Sequence, residues 1–276
     1  MNMEAILAEF SQVAARKLAL TSEDTYRVWI GKFLRFLDSD EARRIETSER
    51  KVEVFLSVMA HDDYSRGTQN QAFNAILFLY RHVFKKELKN VDAVRCKVYS
   101  KERYVPTREE IVAMFRDLHD TPTYRVRLLV ALLYGCGLRV TEGCQLRIKD
   151  LDIPRMTLTV HDGKGMKDRQ VRLPELLATA LQKHIARAEA LAAIDIAEKQ
   201  PVQLPGRLAV KYPAWQFQVR WHFLFPSPKP CEHPRTGQLV RWCIGPDVIQ
   251  RAVKRAAVAA GVEGKVTPHC LRHSFC

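Results

Sequence analysis

The sequence predicts a mostly α-helical protein with a small β-hairpin, an α+β arrangement divided between two domains. Three observations carry this prediction. Roughly the first 90 residues repeat apolar side chains at helical spacing, residues 85–108 lose that period and are rich in Lys and Arg, and one stretch near residue 160 alternates with a period of two. We therefore expect a helical domain at 1–88, a basic linker at 89–106 and a second domain at 107–276.

Three segments of the N-terminal domain have the apolar spacing of amphipathic helices. The first follows the start signal Thr21-Ser22, and the third begins with a capping-box pattern from Thr68 to Gln71. Because such stripes are most simply the core of a small bundle, we assign no functional role to their aromatic residues. The stripes contain Tyr26, Trp29, Ile30, Phe33, Leu34 and Leu37, then Val52, Phe55, Leu56 and Met59, then Phe73, Ile76, Leu77, Tyr80 and Phe84.

The stretch from Lys85 to Arg108 is the candidate connection between the domains. It holds eight basic and three acidic residues, a difference of +5, and Pro106 precedes a new helix start at Thr107. A basic connection suits a polyanion, because each neutralised phosphate releases condensed counterions. Its candidate DNA contacts are Lys97, Lys101 and Arg103.

The second domain opens with a helix over about 108–118 and another through the stretch VRLLVALLY, which Gly135 and Gly137 end. A further short helix follows this glycine pair. Helices resume over about 174–199 and again over 246–260. The domain is therefore expected to be helical on both sides of the hairpin.

The hairpin is predicted from a change of period in the middle of the second domain. Residues 157–160 and 171–173 alternate, and Asp162-Gly163 between them is a strong two-residue turn signal. The tip of such a hairpin would carry basic side chains. These are Lys164, Lys167 and Arg169.

Charge and cysteine content restrict the class of protein. Lys and Arg number 44 against 31 acids, a net charge of +13, which indicates either a polyanionic partner or simply a basic, soluble protein. The seven cysteines are odd in number and include no Cys-x-x-Cys pair, which argues against a zinc site and a disulfide framework. No signal-peptide core or membrane-length apolar run occurs, so we expect a soluble, cytoplasmic protein with no membrane partner.

Four basic residues of the second domain point together to phosphate chemistry. Arg139 follows the glycine pair, Lys164 lies at the predicted hairpin tip, and His269 and Arg272 share one face of a helix that Thr267 can cap. Taken singly, each is more simply a surface residue. Two guanidiniums, an amine and an imidazole suit a phosphate whose negative charge grows in a transition state.

A candidate insertion at about 200–230 is rich in aromatic residues, with basic side chains between them. This mixture suits stacking on unpaired bases, although a satellite core beneath a long loop is the simpler interpretation for most of the rings. Trp215 and Trp221 are the candidates for base contact. The six aromatic residues are Tyr212, Trp215, Phe217, Trp221, Phe223 and Phe225.

Four stretches of the chain resemble the tyrosine recombinases, and within that class the integron integrases. They are TQNQAFNAILFLYR, LLYGCGLRVTEGCQLRIKDLD, GKGMKDRQVRLP and VTPHCLRHSF, in the family's order. The resemblance implies a helical core-binding domain and a catalytic domain that together clamp DNA. It implies a homotetramer on DNA that recombines gene cassettes, with a double-stranded integration site and a folded, single-stranded cassette site as partners.

The resemblance also implies a role for each matching residue. Arg139 and Arg272 would bind the non-bridging oxygens of the scissile phosphate, and Lys164 would protonate the leaving 5′ oxygen. His269 would hydrogen-bond the phosphate or take the nucleophile's proton, and Glu142 would hold Arg139 from behind. The broken bond's energy would be kept in a 3′-phosphotyrosine link, so no cofactor or metal is expected. The aromatic insertion resembles the segment with which integron integrases recognise flipped-out bases.

The nucleophile of the class lies downstream of the His-x-x-Arg helix, after a further His or Trp. The sequence stops at Cys276, so we expect a chain truncated before that tyrosine. Two alternatives follow: a catalytically inactive chain that only occupies DNA, or a phosphate-processing enzyme of the type IB topoisomerase kind. The eight tyrosines all lie upstream of the helix, at Tyr26, Tyr64, Tyr80, Tyr99, Tyr104, Tyr124, Tyr134 and Tyr212.

Overall fold

The structure is a computed structural model that describes residues 2–97, 104–121, 123–161 and 168–274. By its internal contacts the chain divides into two compact units, Met1–Lys101 and Glu102–Cys276. The mostly helical fold with a small sheet, predicted from the sequence, is confirmed. Among the described residues, no helix is both long enough and apolar enough to cross a membrane.

Unit 1 is a helical bundle closed over an aromatic and aliphatic core. Phe10, Ile30, Phe33, Leu56 and Ile76 are fully buried in it, and Phe33 meets Phe55 edge to face. Apart from Leu77, the residues of the predicted apolar stripes lie in this core or pack against it, as the helical period requires. The helices are α1 (Met3–Lys17), α2 (Leu20–Leu37), α3 (Asp40–Arg43), α4 (Ser48–His61) and α5 (Arg66–His82).

Two helix starts differ from the prediction. Helix α2 begins at Leu20, so the expected start signal Thr21-Ser22 lies inside its first turn. Helix α5 begins after Ser65, whose hydroxyl accepts from the backbone N–H of Thr68, so the capping box starting at Thr68 is not used. Ser65 thus caps α5 three residues before the predicted cap at Thr68. Both Ser and Thr are good N-cap residues, so propensity alone does not decide between them.

Unit 2 packs helices around the buried α7 and α11. Leu129, Leu132, Leu133, Ile249 and Val253 lie in the centre of its core. The helices are α6 (Arg108–Asp117), α7 (Val126–Gly135), α8 (Val140–Cys144), α9 (Ala178–Ala197), α10 (Leu208–Lys211), α11 (Pro246–Ala259) and α12 (Pro268–His273).

The predicted hairpin is part of a three-stranded antiparallel sheet. Its strands are β1 (Leu151–Asp152), β2 (Thr157–Val160) and β3 (Arg169–Arg172), in the order β1-β2-β3. Val160 pairs with Arg169, so eight residues separate these paired positions. The expected turn at Asp162-Gly163 lies outside the described residues. The prediction that Arg169 lies at the hairpin tip is wrong, because Arg169 is the first residue of β3.

The aromatic insertion folds as short helical turns with a small core of its own. Turns at Pro213–Phe217 and Val219–Trp221 follow α10. Val202, Leu204 and Phe223 are buried beneath them, and Trp215 and Trp221 pack against that cluster. A second two-stranded hairpin, β4 (Cys231–Glu232) with β5 (Leu239–Val240), follows the insertion.

Candidate active site: an arginine cluster around Glu142

The turn between α7 and α8 places Arg139 and Glu142. Helix α7 ends at Gly135, and Gly137 adopts a positive φ of 57°, a left-handed conformation that favours glycine. Gly143 lets α8 approach α7 closely, because a Cβ there would lie 2.5 Å from Leu133 Cδ2. The chain thus enters α8 at Arg139 with its side chain beside Glu142.

The Glu142 carboxylate accepts hydrogen bonds from two arginine side chains. Arg139 donates from its backbone N–H to Oε2 at 2.8 Å and from Nη1 to Oε1 at 2.5 Å. Arg169 makes a bidentate pair, Nη1 to Oε1 at 3.0 Å and Nη2 to Oε2 at 2.6 Å. Arg272 Nη1 lies 3.5 Å from Oε2. The carboxylate therefore joins α8, β3 and α12.

This cluster carries a net positive charge and is partly accessible. The Glu142 side chain is only 9% exposed, whereas those of Arg139 and Arg169 are each 32% exposed and that of Arg272 is 28% exposed. Burial alone would raise the pKa of the Glu142 carboxyl, but hydrogen bonds from Arg169 and Arg139 outweigh it and hold that pKa at about 2. Three guanidiniums and one carboxylate sum to +2 at neutral pH.

Helix α12 carries both His269 and Arg272, as the sequence predicted. It begins at Pro268, but the Thr267 side chain makes no capping bond to the helix, and its hydroxyl lies 3.2 Å from Cys270 Sγ. The expected side-chain cap at Thr267 is therefore wrong. His269 is exposed, and its ring meets the ring of His273 edge to face at 4.7 Å between centroids.

Several basic residues chosen from the sequence lie outside the described residues. Among the candidates, Lys97 is described and exposed. The two sides of the β2–β3 connection are described: His161 Nδ1 lies 2.8 Å from Asp168 Oδ2. The candidates outside the described residues are Lys101, Arg103, Lys164 and Lys167.

A polar network joins this sheet to the aromatic insertion. Lys149 Nζ lies 2.9 Å from Asp150 Oδ1 and 3.0 Å from His161 Nε2, and it also sits 4.8 Å above the ring of Trp221. A cation over an indole face is attracted by the ring quadrupole. Lys149 was not predicted as a site residue, because two of its three partners, His161 and Trp221, are distant in the sequence.

The aromatic residues of the insertion divide into buried rings and a stack. Trp215 stacks on Tyr212 at 4.2 Å and on Trp221 at 4.8 Å, with interplanar angles of 14° and 19°. Phe223 and Phe225 are 2% and 3% exposed, which makes them core residues. The two tryptophans chosen for base contact therefore already stack on protein rings, and Tyr212, 37% exposed, ends the stack.

Buried arginines hold the insertion in place through hydrogen bonds to its backbone. Arg147 is 5% exposed, donates to the carbonyls of Trp221 and Gln203, and lies 4.2 Å from the Phe223 ring centroid. Arg241 pairs with the buried Asp195. Paired in this way, buried charges avoid the large cost of burying one alone. Through its bond to the Trp221 carbonyl, Arg147 holds the backbone of one residue of the stack.

No metal centre emerges from the described part of the chain, where no three His, Cys, Asp or Glu side chains are grouped to hold an ion. The candidate centre is the arginine cluster. Among the described residues it combines Arg139, Glu142, Arg169 and Arg272, with His269 on the same helix as Arg272.

Comparison with known families assigns this fold and cluster to a class. The model of the phage integrase family matches residues 104–276, and that of the phage integrase N-terminal SAM-like domain matches residues 6–90. The first match covers more than half of the chain. The protein belongs to the phage integrase family, the tyrosine recombinases.

Individual relatives agree with this family. Proteins described as integrase/recombinase from Escherichia coli and from Pseudomonas aeruginosa are each 37% identical over 260 residues, spanning 93% of this chain and 75% of the relative. Tyrosine recombinase XerA of Thermococcus kodakarensis is 31% identical over 80% of this chain and 64% of its own length.

Solved structures support the fold. The XerH site-specific recombinase bound to a palindromic difH substrate superposes with a TM-score of 0.58 at 21% identity, covering 94% of this chain and 69% of that one. A lambda integrase tetramer bound to a Holliday junction gives 0.59 at 15% identity, covering 99% and 68%. At these identities the likeness concerns the fold alone.

Proposed function

We propose that this protein takes part in site-specific recombination of DNA, of the kind that moves gene cassettes, and that the arginine cluster around Glu142 binds the phosphodiester to be cleaved. The single observation that carries the proposal is the convergence of Arg139, Arg169 and Arg272 on one buried carboxylate. A net charge of +2 matches the charge of about −2 on a five-coordinate phosphorane better than the single charge of the ground state.

In the proposed reaction a tyrosine oxygen attacks phosphorus, and the bond from phosphorus to the 5′ oxygen breaks. Arg139 and Arg272 bind the two non-bridging oxygens, Lys164 gives a proton to the leaving 5′ oxygen, and His269 receives the tyrosine's proton. Rejoining runs these transfers in reverse. Glu142 fixes the guanidiniums and stays ionised, since its pKa is about 2. The proposed reaction requires no cofactor.

The proposed partners are a double-stranded integration site and a folded, single-stranded cassette site, bound by four copies of the chain. The solved lambda integrase, a tetramer on a Holliday junction, supports the assembly by shared fold. The ring stack supports the second partner. Its terminal residue, Tyr212, lies beside Lys211, whose Nζ is 5.1 Å from the ring centroid, a pairing suited to a base and its phosphate.

Salt dependence tests whether phosphates dominate binding. With a net charge of +13, the affinity for duplex DNA should fall steeply between about 50 and 200 mM salt, with log K linear in log salt and a slope of about −0.9 per phosphate contacted. Fluorescence anisotropy with a labelled duplex measures this slope. A flat response would contradict the proposed function.

Tyr212→Ala is expected to weaken binding to a DNA hairpin with extrahelical bases by about 5- to 100-fold and binding to a plain duplex by less than 2-fold, because stacking contributes about 1–3 kcal/mol per base. Phe217→Ala is the matched control: Phe217 is 38% exposed but makes no ring contact among the described residues. Trp215→Ala and Trp221→Ala should also weaken hairpin binding, through loss of the stack. Equal losses on both DNAs would show that the rings serve the core only.

A further inference from the structure

A cavity of about 200 Å³ lies in unit 2, between α9, the chain just before α7 and the segment that follows the aromatic insertion. An engineered protein cavity of about 150 Å³ holds benzene, so this cavity has room for one substituted aromatic ring. An apolar wall with a few polar groups is typical of small-molecule sites. The apolar part of the wall includes Leu191, Leu224, Phe225, Pro226 and Ile244.

His184 of α9 lines this cavity with a ring whose nitrogens have no hydrogen-bond partner. Its exposure is 9%, and neither Nδ1 nor Nε2 makes a hydrogen bond among the described residues. The backbone of Leu224 approaches the ring, but not in hydrogen-bond geometry. Because a buried polar group without a partner costs free energy, an unpaired imidazole in a cavity wall indicates a partner within the cavity.

The chemical state of His184 defines the partner that would suit it. Its ring packs against Phe225, with 4.7 Å between ring centroids. Burial lowers the pKa of His184 to about 4, so the imidazole is neutral at pH 7 and offers one donor and one acceptor. Turning the ring over about its Cβ–Cγ bond exchanges each nitrogen with a carbon, so either edge presents a nitrogen to the cavity. A hydroxyl group, which both donates and accepts, is the matching partner.

Two arginines give the cavity wall a positive charge. Arg125 and Arg187 both line it. Arg125 pairs with Asp120 at 3.1 Å, and the Arg125 side chain is 40% exposed. Arg187 is exposed and makes no ion pair within the part of the chain that the structure describes. One guanidinium charge therefore remains without a counter-charge, and its planar fork suits the two oxygens of a carboxylate.

We propose that this cavity binds a small hydroxylated aromatic carboxylate, with its ring among the apolar side chains, its carboxylate at Arg187 and its hydroxyl at His184. None of these groups takes part in the strand-cleavage reaction, so the inference goes beyond the proposed function. The cavity shares no lining residue with the arginine cluster around Glu142. Ligand binding and DNA cleavage are therefore tested independently.

The test compares three ligands by isothermal titration calorimetry on the chain of residues 1–276. The probe is 4-hydroxybenzoate; benzoate lacks its hydroxyl, and phenol lacks its carboxylate. We expect 4-hydroxybenzoate to bind about 2- to 12-fold more tightly than benzoate, the range for one net hydrogen bond, and by a larger factor than phenol, because a charged pair is stronger. Equal affinities for the three ligands, or no binding of 4-hydroxybenzoate at millimolar concentration, would overturn the proposal.

Two variants assign the polar contacts. His184→Phe keeps a ring of similar size and removes both nitrogens, so it should lower the affinity for 4-hydroxybenzoate to that for benzoate, while benzoate binds as before. Arg187→Gln should weaken binding of 4-hydroxybenzoate by about 10-fold and leave phenol unchanged. Lys183→Gln is the matched control, because Lys183 is exposed on the same helix but does not line the cavity. An equal loss in Lys183→Gln would show unspecific attraction of an anion and would contradict the proposal.

Thermal unfolding distinguishes a ligand-binding role of His184 from a structural one. His184→Phe should keep or raise the Tm of the ligand-free protein, because it removes two buried nitrogens that have no partner. Adding 4-hydroxybenzoate should raise the Tm of the original chain more than that of His184→Phe. If His184→Phe fails to fold by circular dichroism, Arg187→Gln decides, since Arg187 is exposed. An unchanged affinity of Arg187→Gln for 4-hydroxybenzoate would then overturn the proposal.

Discussion

A polypeptide of residues 1–276 is expected to bind its DNA and yet form no covalent adduct with a nicked suicide substrate on a denaturing gel. The guanidiniums that would grip the phosphate are present in the cluster around Glu142. All eight tyrosines of these residues lie upstream of α12, and none matches the place of the family's nucleophile. Binding a phosphate does not supply an attacking oxygen, and diffusing water lacks the positioning of a tethered hydroxyl.

Three tyrosines of unit 2, Tyr104, Tyr124 and Tyr212, are poor substitutes. The Tyr104 hydroxyl donates to Glu110, and this hydrogen bond raises the Tyr104 pKa to about 12. Burial raises the pKa of Tyr124. Tyr212 is stacked on Trp215. A phenol with a raised pKa or an engaged ring is less available as the activated oxygen that strand cleavage requires.

A version of the chain continued through the family's tyrosine should form the adduct, and Arg272→Ala should slow its formation by about 10²- to 10³-fold, the effect of removing one donor to a developing oxyanion. Arg272→Lys should recover only part of the rate, since an ammonium cannot replace a planar two-donor fork. A covalent band from residues 1–276 themselves would contradict this prediction.

The elements that were predicted from the sequence are those determined locally. The end of α7 at the glycine pair needs only Gly137's positive φ, and the Arg139–Glu142 contact spans a single helical turn. The stripes of α2, α4 and α5 follow the helical period. In each case the physical cause lies within a few residues, which a single sequence displays.

The parts that were missed depend on contacts between distant residues. Arg169 reaches Glu142 across 27 positions, and nothing in its neighbourhood distinguishes it from a solvated hairpin residue. The two-residue strand β1 is too short to show alternation. The aromatic content of the insertion is evident in the sequence. The order of the rings in the stack is not, because it depends on how the insertion folds onto Arg147 and the core around Phe223.

Glu142→Gln is expected to destabilise unit 2 by about 2–3 kcal/mol at pH 7. The substitution keeps the side-chain shape but removes the charge that three guanidiniums share, and leaves their mutual repulsion uncompensated. Breaking a fully buried pair costs about 3–5 kcal/mol. The arginines here are 28–32% exposed, so solvent screens part of that cost.

The stability difference between the original chain and Glu142→Gln should depend on pH. Because the folded pKa of Glu142 is about 2, below the ordinary value of 4.5, its stabilising contribution is complete above pH about 4.5 and is lost as the pH falls toward 2. The original chain should therefore lose stability more steeply than Glu142→Gln below pH 4.5, and the difference between them should shrink. Urea denaturation read by hydrogen exchange in peptides from residues 104–274 measures this for unit 2 alone.

Glu175→Gln is the control that isolates the cluster. Glu175 pairs with Arg172 in the same unit, but both side chains are about four-fifths exposed, so the change should cost less than about 0.5 kcal/mol. If Glu142→Gln costs no more than this control, or if its deficit stays constant down to pH 3, the carboxylate does not hold the arginines together. The arrangement of the arginines would then be stabilised by the packing of α8, β3 and α12 instead. The argument that the charge of the cluster matches a phosphate would lose its structural basis.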